Sequence, residues 1–379
     1  MIDSNKKNCT GCSACYSVCS HKAITMVSDV LGFMYPKIDL TKCVDCGLCN
    51  KVCVLDNDYN KEHLIHQKAY TIRHKSDVEV KTSRSGAAFS AIADHILSIG
   101  GVVYGVCLDE YFMAIHERAM SKEEVNRFKG SKYIQSNLND IFQKVKMDLA
   151  DGKTVLFSGT PCQVGGLIHT LSKKLMTNLY TIDLICHGVG SPSIWKDFLR
   201  KVEQKYNVPI ISANFRDKSY RGWDAHFESF MFANGKVTYG RGFANIYYRK
   251  LITRQSCFNC KFTNFERPSD ITLGDDWITY RQKSNFNNDN KGRTIVIVNS
   301  VKGEEIFNNI QETVNYCELP LASLNHPNLY HPTNGHKDRL LFEKIYTESG
   351  FDAVWKKFGH DFWGLWFIEI YNKIFKQHK

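Results

Sequence analysis

The chain has 379 residues, a formal net charge of +10 and a hydrophobic fraction of 43%. Its length predicts two or three domains, and its composition is that of a globular protein with a sizeable core. No stretch approaches the ~18 consecutive apolar residues of a transmembrane helix, and we recognise no signal peptide, so we expect a cytoplasmic protein. Fourteen cysteines in such a chain favour metal ligation in a reducing compartment over disulfides.

The positive charge has two interpretations. The favoured one is a lysine-rich surface, and the other is attraction of anionic partners such as acidic carrier proteins, phosphate-bearing cofactors or anionic sugars. No nucleic-acid-binding module surrounds the basic residues, so a nucleic-acid partner is not expected.

Two cysteine runs with the same spacing, C-x2-C-x2-C-x3-C, open the chain. They consist of Cys9, Cys12, Cys15 and Cys19, and of Cys43, Cys46, Cys49 and Cys53. In this spacing the first three cysteines bind one corner of a 4Fe–4S cluster and the fourth ligates the other cluster. We therefore predict a first site formed by the first three cysteines of the first run, Cys9, Cys12 and Cys15, together with Cys53. The second site combines the first three cysteines of the second run with Cys19. Zinc is the alternative, but it usually takes two C-x2-C pairs separated by a longer loop.

Residues 1–58 resemble the bacterial-type two-cluster ferredoxins. Short apolar segments at 23–26 and 32–35 lie between the cysteine runs and predict two strands. Those ferredoxins usually carry proline after each fourth cysteine, whereas this chain has Ser20 and Val54. The difference affects the rigidity of the turns and the cluster potentials rather than ligation.

Residues 56–68 are polar and predict a linker, after which strands and helices alternate. Strands are predicted at 69–73, 102–108, 112–118, 154–157, 180–185, 227–232, 236–239, 271–273 and 294–298. Helices are predicted at 86–97, from a capping box at Ser121, and at 138–150, 164–175 and 191–206. This order predicts an α+β or mixed α/β class with a partly parallel sheet.

A third group of cysteines lies in this α/β part. It consists of Cys162, Cys186, Cys257 and Cys260. The first two follow predicted strands, and the carboxyl ends of parallel neighbours meet at one edge of a sheet. Four thiols meeting there would suit a third 4Fe–4S cluster or a four-thiolate zinc, although buried free cysteines are also common. Cys107 and Cys317 have no cysteine neighbour and are interpreted as plain core residues.

From about residue 69 to residue 324 the chain resembles the beta subunits of coenzyme F-420 hydrogenases and dehydrogenases. That family also includes chlorophyll-pathway reductases and bacterial proteins encoded beside polysaccharide genes. The resemblance rests on short motifs in a fixed order. They are SGAA at 85–88, GSKYIQS at 130–136, GTPCQ at 159–163, CHG at 186–188, CFNC at 257–260 and DITLGDDW at 270–277.

The resemblance implies an FAD enzyme whose four body cysteines hold a third 4Fe–4S cluster near a flavin. The implied flavin site comprises Ser85, Gly86, Gly130, Ser131, Lys132, Tyr133 and Gly274. Ser85 and Gly86 lie at a predicted helix start, where free N–H groups favour a diphosphate. Gly130 and Ser131 would let the backbone approach the cofactor, and Lys132 would neutralise a phosphate or the reduced ring. The alternative for Lys132 is a solvated surface lysine.

The resemblance also divides the chain. The expected parts are a ferredoxin domain at 1–58, a flavin-binding part at 68–150, a C-terminal part with the third cysteine site at 151–330 and a helical segment at 331–379. The last segment is rich in aromatic and basic residues. We expect it to pack on the body of the protein or on a partner, with docking on a membrane surface as the alternative.

Candidate groups for proton transfer and substrate binding are few. His187 follows a predicted ligand and is the candidate catalytic residue, as a proton relay or by hydrogen bonding to the cluster, with a structural histidine bonded to nearby backbone as the alternative. His169 is interpreted as structural. Arg216, Arg221 and Trp223 lie in one polar loop, which we interpret as a lid over an anionic substrate.

The predicted function is an oxidoreductase that moves single electrons from a ferredoxin-like donor through the clusters to FAD and an organic two-electron substrate. Coenzyme F-420 is one such substrate, and flow in the reverse direction is equally allowed. Two alternatives remain: an electron-transfer subunit of a larger redox complex, or a polysaccharide-biosynthesis protein acting on a sugar-linked compound. A less favoured alternative is a metal-stabilised redox sensor without enzymatic activity.

Overall fold

The computed structural model describes residues 5–55, 61–281, 286 and 288–359. Its strands are β1 (Ile24–Ser28), β2 (Met34–Ile38), β3 (Leu64–His74), β4 (Val102–Leu108), β5 (Ala114–Ala119), β6 (Val155–Ser158), β7 (Leu179–Leu184), β8 (Ile210–Asn214), β9 (Glu228–Phe232), β10 (Val237–Gly240), β11 (Ile271–Asp275), β12 (Thr294–Ser300) and β13 (Val314–Leu319).

Short and long helices connect these strands. They are α1 (Ala14–Val18), α2 (Leu48–Lys51), α3 (Asp77–Thr82), α4 (Ala88–Ser98), α5 (Lys122–Asn126), α6 (Ile141–Ala150), α7 (Pro161–His169), α8 (Lys173–Met176), α9 (Pro192–Tyr206), α10 (Gly242–Tyr248), α11 (Trp277–Arg281), α12 (Val301–Ile310) and α13 (Arg339–Phe358). None of these described helices is long and apolar enough to cross a membrane.

An eight-stranded sheet forms the centre of the body, in the order β13-β3-β12-β11-β7-β6-β4-β5. The four strands β11, β7, β6 and β4 are parallel neighbours, and the strands outside them run antiparallel. This confirms the predicted mixed α/β class. Strands β8, β9 and β10 form a separate antiparallel sheet, and β1 and β2 form the hairpin of the N-terminal module.

Local sequence signals are confirmed at several element boundaries. The capping box at Ser121 is present, because its side chain accepts the backbone N–H of Glu124 while that glutamate returns a bond to the N-cap backbone. The Ser191 side chain accepts the N–H of Ile194 and caps α9. Gly235, with a φ of 79°, turns the chain between β9 and β10.

Three predictions differ from the structure. The predicted helix at 164–175 begins at Pro161 instead, because Thr160 and Gln163 form a capping box, and it ends at His169. The predicted linker is already strand from Leu64, because Leu64 and Lys68 of β3 pair with β12. Cys317 is exposed on the edge strand β13 and is not a core residue, whereas Cys107 is fully buried as predicted.

The C-terminal helical segment is described only in part. Helix α13 ends at Phe358, and the aromatic and basic residues of 360–379 lie outside the described residues, as do residues 56–60 of the predicted linker. Phe351 and Val354 of α13 belong to the largest apolar core, so the described portion packs on the body.

The ferredoxin-like module packs tightly on the α/β body. Leu31, Phe33 and Tyr35 belong to the same apolar core as Trp195 and Phe198 of α9. A second core contains Ala14 and Val52 of the module together with side chains of α6 and α7. The module is therefore held against the body on two faces, which fixes the positions of its cysteines relative to the third cysteine site.

Candidate redox site

The first cysteine site is buried at the junction of module and body. Burial and, to a lesser extent, the neighbouring thiols of Cys162 and Cys9 raise the pKa of Cys12 to about 12. Burial likewise raises the pKa of Cys15, and Cys12, Cys9 and Cys53 act in the same direction. The structure thus brings together the four cysteines of the first site, including Cys53 from the second run.

The second site lies at the surface of the module. Its four cysteines line one cavity of about 500 Å³ that extends into open solvent. They are Cys19, Cys43, Cys46 and Cys49. Cys46 is exposed, so this site faces solvent while the first site faces the body. The crosswise arrangement of the two runs is the one that the spacing predicts.

The third site forms at the carboxyl ends of β6 and β7, which are parallel neighbours as expected. Burial raises the pKa of Cys186 and of Cys257 to about 12, and in each case a second cysteine of the site, Cys257 or Cys260, adds to the effect. Cys260 is raised to a pKa of about 12 by burial and by the nearby thiol of Cys162. All four predicted cysteines therefore lie in one group.

The chemistry of this donor set fits a metal cluster. Buried thiols with such high pKa values remain protonated at neutral pH unless positive charge replaces the proton. Gly188, with a φ of 102°, lets the loop after β7 pass close to Cys257, since a Cβ there would lie 3.2 Å from the Cβ of that cysteine. The residues present thus suit a 4Fe–4S cluster, whereas no group of three or more His, Cys, Asp or Glu side chains in the described part of the chain could hold a single metal ion.

The first and third sites adjoin each other. Cys12 of the first site and Cys162 and Cys260 of the third site all pack against Val54 and Phe262. Gly166 of α7 permits this approach, because a Cβ at that position would lie 3.0 Å from both Cβ and Sγ of Cys12. The order along the molecule is therefore the second site at the surface, the first site between, and the third site in the body.

An aromatic group surrounds His187 next to the third site. The ring of Tyr133 stacks on Tyr247 at 4.9 Å, and His187 lies 5.9 Å from the ring of Tyr248. The Tyr247 hydroxyl donates to the Gly188 carbonyl at 2.6 Å. That hydroxyl and the Lys250 amine lie 3.2 and 3.3 Å from His187 Nδ1. Burial first, and then the positive charge of Lys250, lower the pKa of His187 to about 3, so its ring is neutral.

The predicted flavin residues do not all face this group. Tyr133 does, whereas the Ser85 hydroxyl donates to the Arg293 carbonyl at 2.5 Å. The backbone N–H of Gly86 donates to Thr294 Oγ1 at 2.8 Å, so that group is already satisfied and is not free for a diphosphate.

Lys132 lies at the end of α5. Its amine donates to the carbonyls of Arg127, Phe128 and Lys129 at 3.3, 2.9 and 2.8 Å. Burial lowers its pKa to about 7. The Lys132 amine is therefore neither free to bind a phosphate nor solvated, because it is bound by backbone carbonyls.

The three remaining predicted flavin residues are two glycines and a serine. Gly130 has a φ of 82° and open space where a side chain would be, while Ser131 is partly buried. Gly274 of β11 packs closely against Ile185, since a Cβ there would lie 2.6 Å from the Ile185 Cδ1. Its small size therefore serves packing between β11 and the end of β7.

The predicted lid loop is divided between two environments. Arg216 is buried and forms an ion pair with Asp275 at 2.5 Å. Trp223 is fully buried and stacks on Trp277 with ring centroids 4.2 Å apart. Arg221 is exposed and lies over the ring of Tyr220. The structure therefore places Arg216 and Trp223 at the carboxyl end of β11, near the aromatic group, and Arg221 outside it.

Sequence reasoning missed several residues of the site. Arg84, His226 and Tyr248 carry no spacing signal, and His226 Nδ1 lies 2.7 Å from the Tyr248 hydroxyl. Asp275 belongs to a motif that the sequence displays, but its role became visible only through its ion pair with Arg216. His169 lies 3.3 Å from the Val52 carbonyl, in keeping with its structural interpretation.

The twin cysteine sites on a ferredoxin-like module, joined to a mixed α/β body, define an iron–sulfur electron-transfer protein. Residues 8–57 match a 4Fe-4S dicluster domain, and residues 152–321 match the family described as the C terminus of the coenzyme F420 hydrogenase/dehydrogenase beta subunit. The chain is thus similar to this beta-subunit family over residues 152–321 and carries an N-terminal ferredoxin module, and this likeness supports an oxidoreductase role.

Among solved structures, the chain is similar to a chain of the F420-reducing NiFe hydrogenase complex from Methanosarcina barkeri. The two are 15% identical, the match covers 78% of this chain and 91% of the other, and the TM-score is 0.46. No match was found among curated proteins.

Proposed function

We propose that this chain is an FAD- and 4Fe–4S-dependent oxidoreductase that moves electrons between a one-electron donor and an organic two-electron substrate. The observation that carries the proposal is that Cys12 and Cys162 pack against the same pair of side chains, Val54 and Phe262, and lie close enough for Cys162 to raise the pKa of Cys12. A binding protein or sensor would not require this continuity between a surface site and a buried one.

Each part of the chain has a defined task in this proposal. The three cysteine sites would hold 4Fe–4S clusters, which exchange single electrons. FAD, bound beside the third site, would supply the conversion between one-electron and two-electron transfer. The aromatic group of Tyr133, Tyr247 and Tyr248 excludes water and presents flat surfaces suited to a flavin-like or deazaflavin ring. The neutral His187 offers a ring nitrogen that holds a hydrogen bond beside the third site.

The composition of anaerobically purified protein tests the proposal. Since each 4Fe–4S cluster contains four irons, we expect roughly twelve irons, a matching amount of acid-labile sulfide and about one FAD per chain. Roughly eight irons with one zinc and no flavin would leave the ferredoxin module intact but would overturn the enzyme proposal. Acceptors would then be screened with the flavin-containing protein, starting with deazaflavin.

An apolar surface at the second site favours a protein as the electron donor. We call Leu40, Val44 and Leu48 the docking surface; their exposed fractions are 69%, 59% and 44%. Val44 and Leu48 also line the second site, and Lys42 and Lys51 lie beside them in the sequence. Asp39 pairs with Lys42 at 3.2 Å and Asp45 follows Val44, so the charges beside the patch offset each other, and its exposed apolar area is what suits a protein partner such as a ferredoxin. The same surface supports the second candidate function, an electron-transfer subunit within a larger complex.

The substitution Val44→Glu tests this docking surface. We expect the rate constant for reduction by an acidic ferredoxin to fall by about tenfold at low salt, because a negative charge opposes the partner's charge. Reduction by dithionite, a small donor, should be unchanged. The matched control is Val78→Glu, on the exposed face of α3 where Val78 is 68% exposed. Equal rates for both variants with ferredoxin would exclude this surface as the docking site.

A further inference from the structure

Two buried arginines lie side by side next to the aromatic group. Arg84 and Arg216 are 9% and 5% exposed, and one nitrogen of each guanidinium donates to the same carbonyl, that of Trp223. The carboxylate that faces them is Asp275, which pairs with Arg216. Two guanidinium groups thus share one carbonyl acceptor and one carboxylate. We call Arg84, Arg216 and Asp275 the arginine pair site.

Several donors of this site have no partner. Nε and one terminal nitrogen of Arg84, and Nε of Arg216, are shielded from solvent and make no hydrogen bond in the described part of the chain. A buried donor without an acceptor costs about 1–3 kcal/mol, and more in a charged group. A single unpaired Nε also occurs in Arg241, Arg267 and Arg293, so the distinctive feature is that Arg84 leaves two of its three nitrogens unused.

Arg254 shows what a purely structural buried arginine looks like in this protein. It is fully buried, and its three nitrogens donate to the Cys9 carbonyl, the Gln135 side chain and the Met34 carbonyl. No such set of acceptors surrounds Arg84. Its other bond within the described residues is to the Ala225 carbonyl, at 3.4 Å and from the nitrogen that already donates to Trp223.

The excess of positive charge helps to lower the pKa values of neighbouring groups. Burial first, and then the charge of Arg216, lower the pKa of Arg84 to about 10. Burial, followed by Arg84, lowers the pKa of Lys218 to about 7. Burial and the two arginines lower the pKa of His226 to about 3, against the opposing effect of Asp275. One carboxylate therefore does not balance the charge of the site.

We propose that Arg84 and Arg216 bind an oxyanion, a phosphate or a carboxylate, carried by the organic ligand of the redox site. Guanidinium groups present paired N–H donors that match the oxygens of such anions. The location agrees, because Tyr133 and Tyr248 lie close enough to both arginines to affect their pKa values and also contact His187 next to Cys186. The inference rests on the proposed function, since it assigns part of the same site.

The oxyanion has two chemical sources, the diphosphate of FAD or an anionic group of the substrate. Flavin-depleted protein that retains its iron separates them. Inorganic pyrophosphate, FAD and riboflavin are titrated against the wild type and Arg84→Gln, and pyrophosphate is also titrated against FAD-loaded protein. Arg84→Lys tests whether charge alone restores binding, and Arg200→Gln is the control. Arg200 lies on α9, has a side chain 66% exposed and undergoes the same loss of charge.

We expect Arg84→Gln to weaken pyrophosphate binding by about tenfold or more, the effect of losing a hydrogen bond to a charged group, with Arg200→Gln unchanged. If FAD supplies the anion, FAD affinity falls by a similar factor and riboflavin affinity does not. If the substrate supplies it, FAD affinity is unchanged and pyrophosphate still binds to FAD-loaded protein. Both results support the oxyanion site.

Failure has two distinguishable forms. If wild-type protein binds no pyrophosphate, or if Arg84→Gln with full iron content binds pyrophosphate and FAD as the wild type does, the oxyanion site is overturned. The wild-type titration keeps the test decisive even if Arg84→Gln does not fold. If FAD does not bind at all but pyrophosphate binds through Arg84, the proposed function fails while the oxyanion site stands.

Discussion

Replacing Cys162 with alanine is expected to disconnect the ferredoxin module from the rest of the redox site. The thiol belongs to the third site and, like Cys12 of the first site, packs against Val54 and Phe262, so its loss removes a predicted ligand at their junction. We expect iron to fall from roughly twelve to roughly eight atoms per chain. Reduction of an organic acceptor by ferredoxin should fall by at least about a hundredfold. Loss of a residue that only orients a metal ligand already costs about 10–100-fold, and Cys162 is itself a predicted ligand.

The matched control for this variant is Cys317→Ala. Cys317 is exposed on β13 and belongs to none of the three sites, so iron content and acceptor reduction should be unchanged. Iron and sulfide analysis, with steady-state assays on both variants, provides the measurement. Full iron content and full activity in Cys162→Ala would show that the third site is neither a cluster site nor part of the route.

Replacing Arg254 with alanine is expected to loosen the ferredoxin module from the body. Its guanidinium carbon lies 4.1 Å from the centre of the Tyr35 ring, and its nitrogens donate to three acceptors that include Cys9 and Met34 of the module. Truncation removes the donor from all three acceptors; Gln135 Oε1 keeps the backbone N–H of Met34, and each buried acceptor left without a partner costs about 1–3 kcal/mol. We expect the free energy of unfolding to fall by about 3–5 kcal/mol, as for other broken buried charged networks.

Anaerobic urea unfolding followed by cluster absorbance measures this change. Limited proteolysis should also cleave the module from the body faster in the variant. Arg200→Ala is the control, since its side chain is exposed and pairs with Asp197, and such surface pairs contribute about 0–1 kcal/mol. Equal stability of the two variants would mean that Arg254 does not hold the module in place.

The grouping of the cysteines could be predicted from the sequence because thiolates that bind one cluster must follow a fixed spacing. The boundaries of β4 and α9 could also be predicted, because an apolar strand and a helix that starts with Ser-Pro are recognised from neighbouring residues alone. The third site required one more step, the parallel pairing of β6 and β7, which the alternation of strands and helices already indicated.

The arginine pair site could not be predicted in this way. Arg84 and Arg216 are separated by 132 positions in the chain and meet only because both reach the Trp223 carbonyl. Nothing local distinguishes them from a surface arginine. The exposure of Cys317 was missed for a related reason, because a strand at the edge of a sheet and a strand at its centre have similar sequences.

The most direct test of electron transfer through the third site is a single-turnover experiment under anaerobic conditions. Reduced ferredoxin is mixed rapidly with FAD-loaded wild type and with Cys162→Ala, and cluster and flavin absorbance are followed separately. If electrons pass through the third site, the clusters of the N-terminal module are reduced in both proteins, whereas the flavin is reduced rapidly only in the wild type. Equally fast flavin reduction in both would contradict a route through the third site.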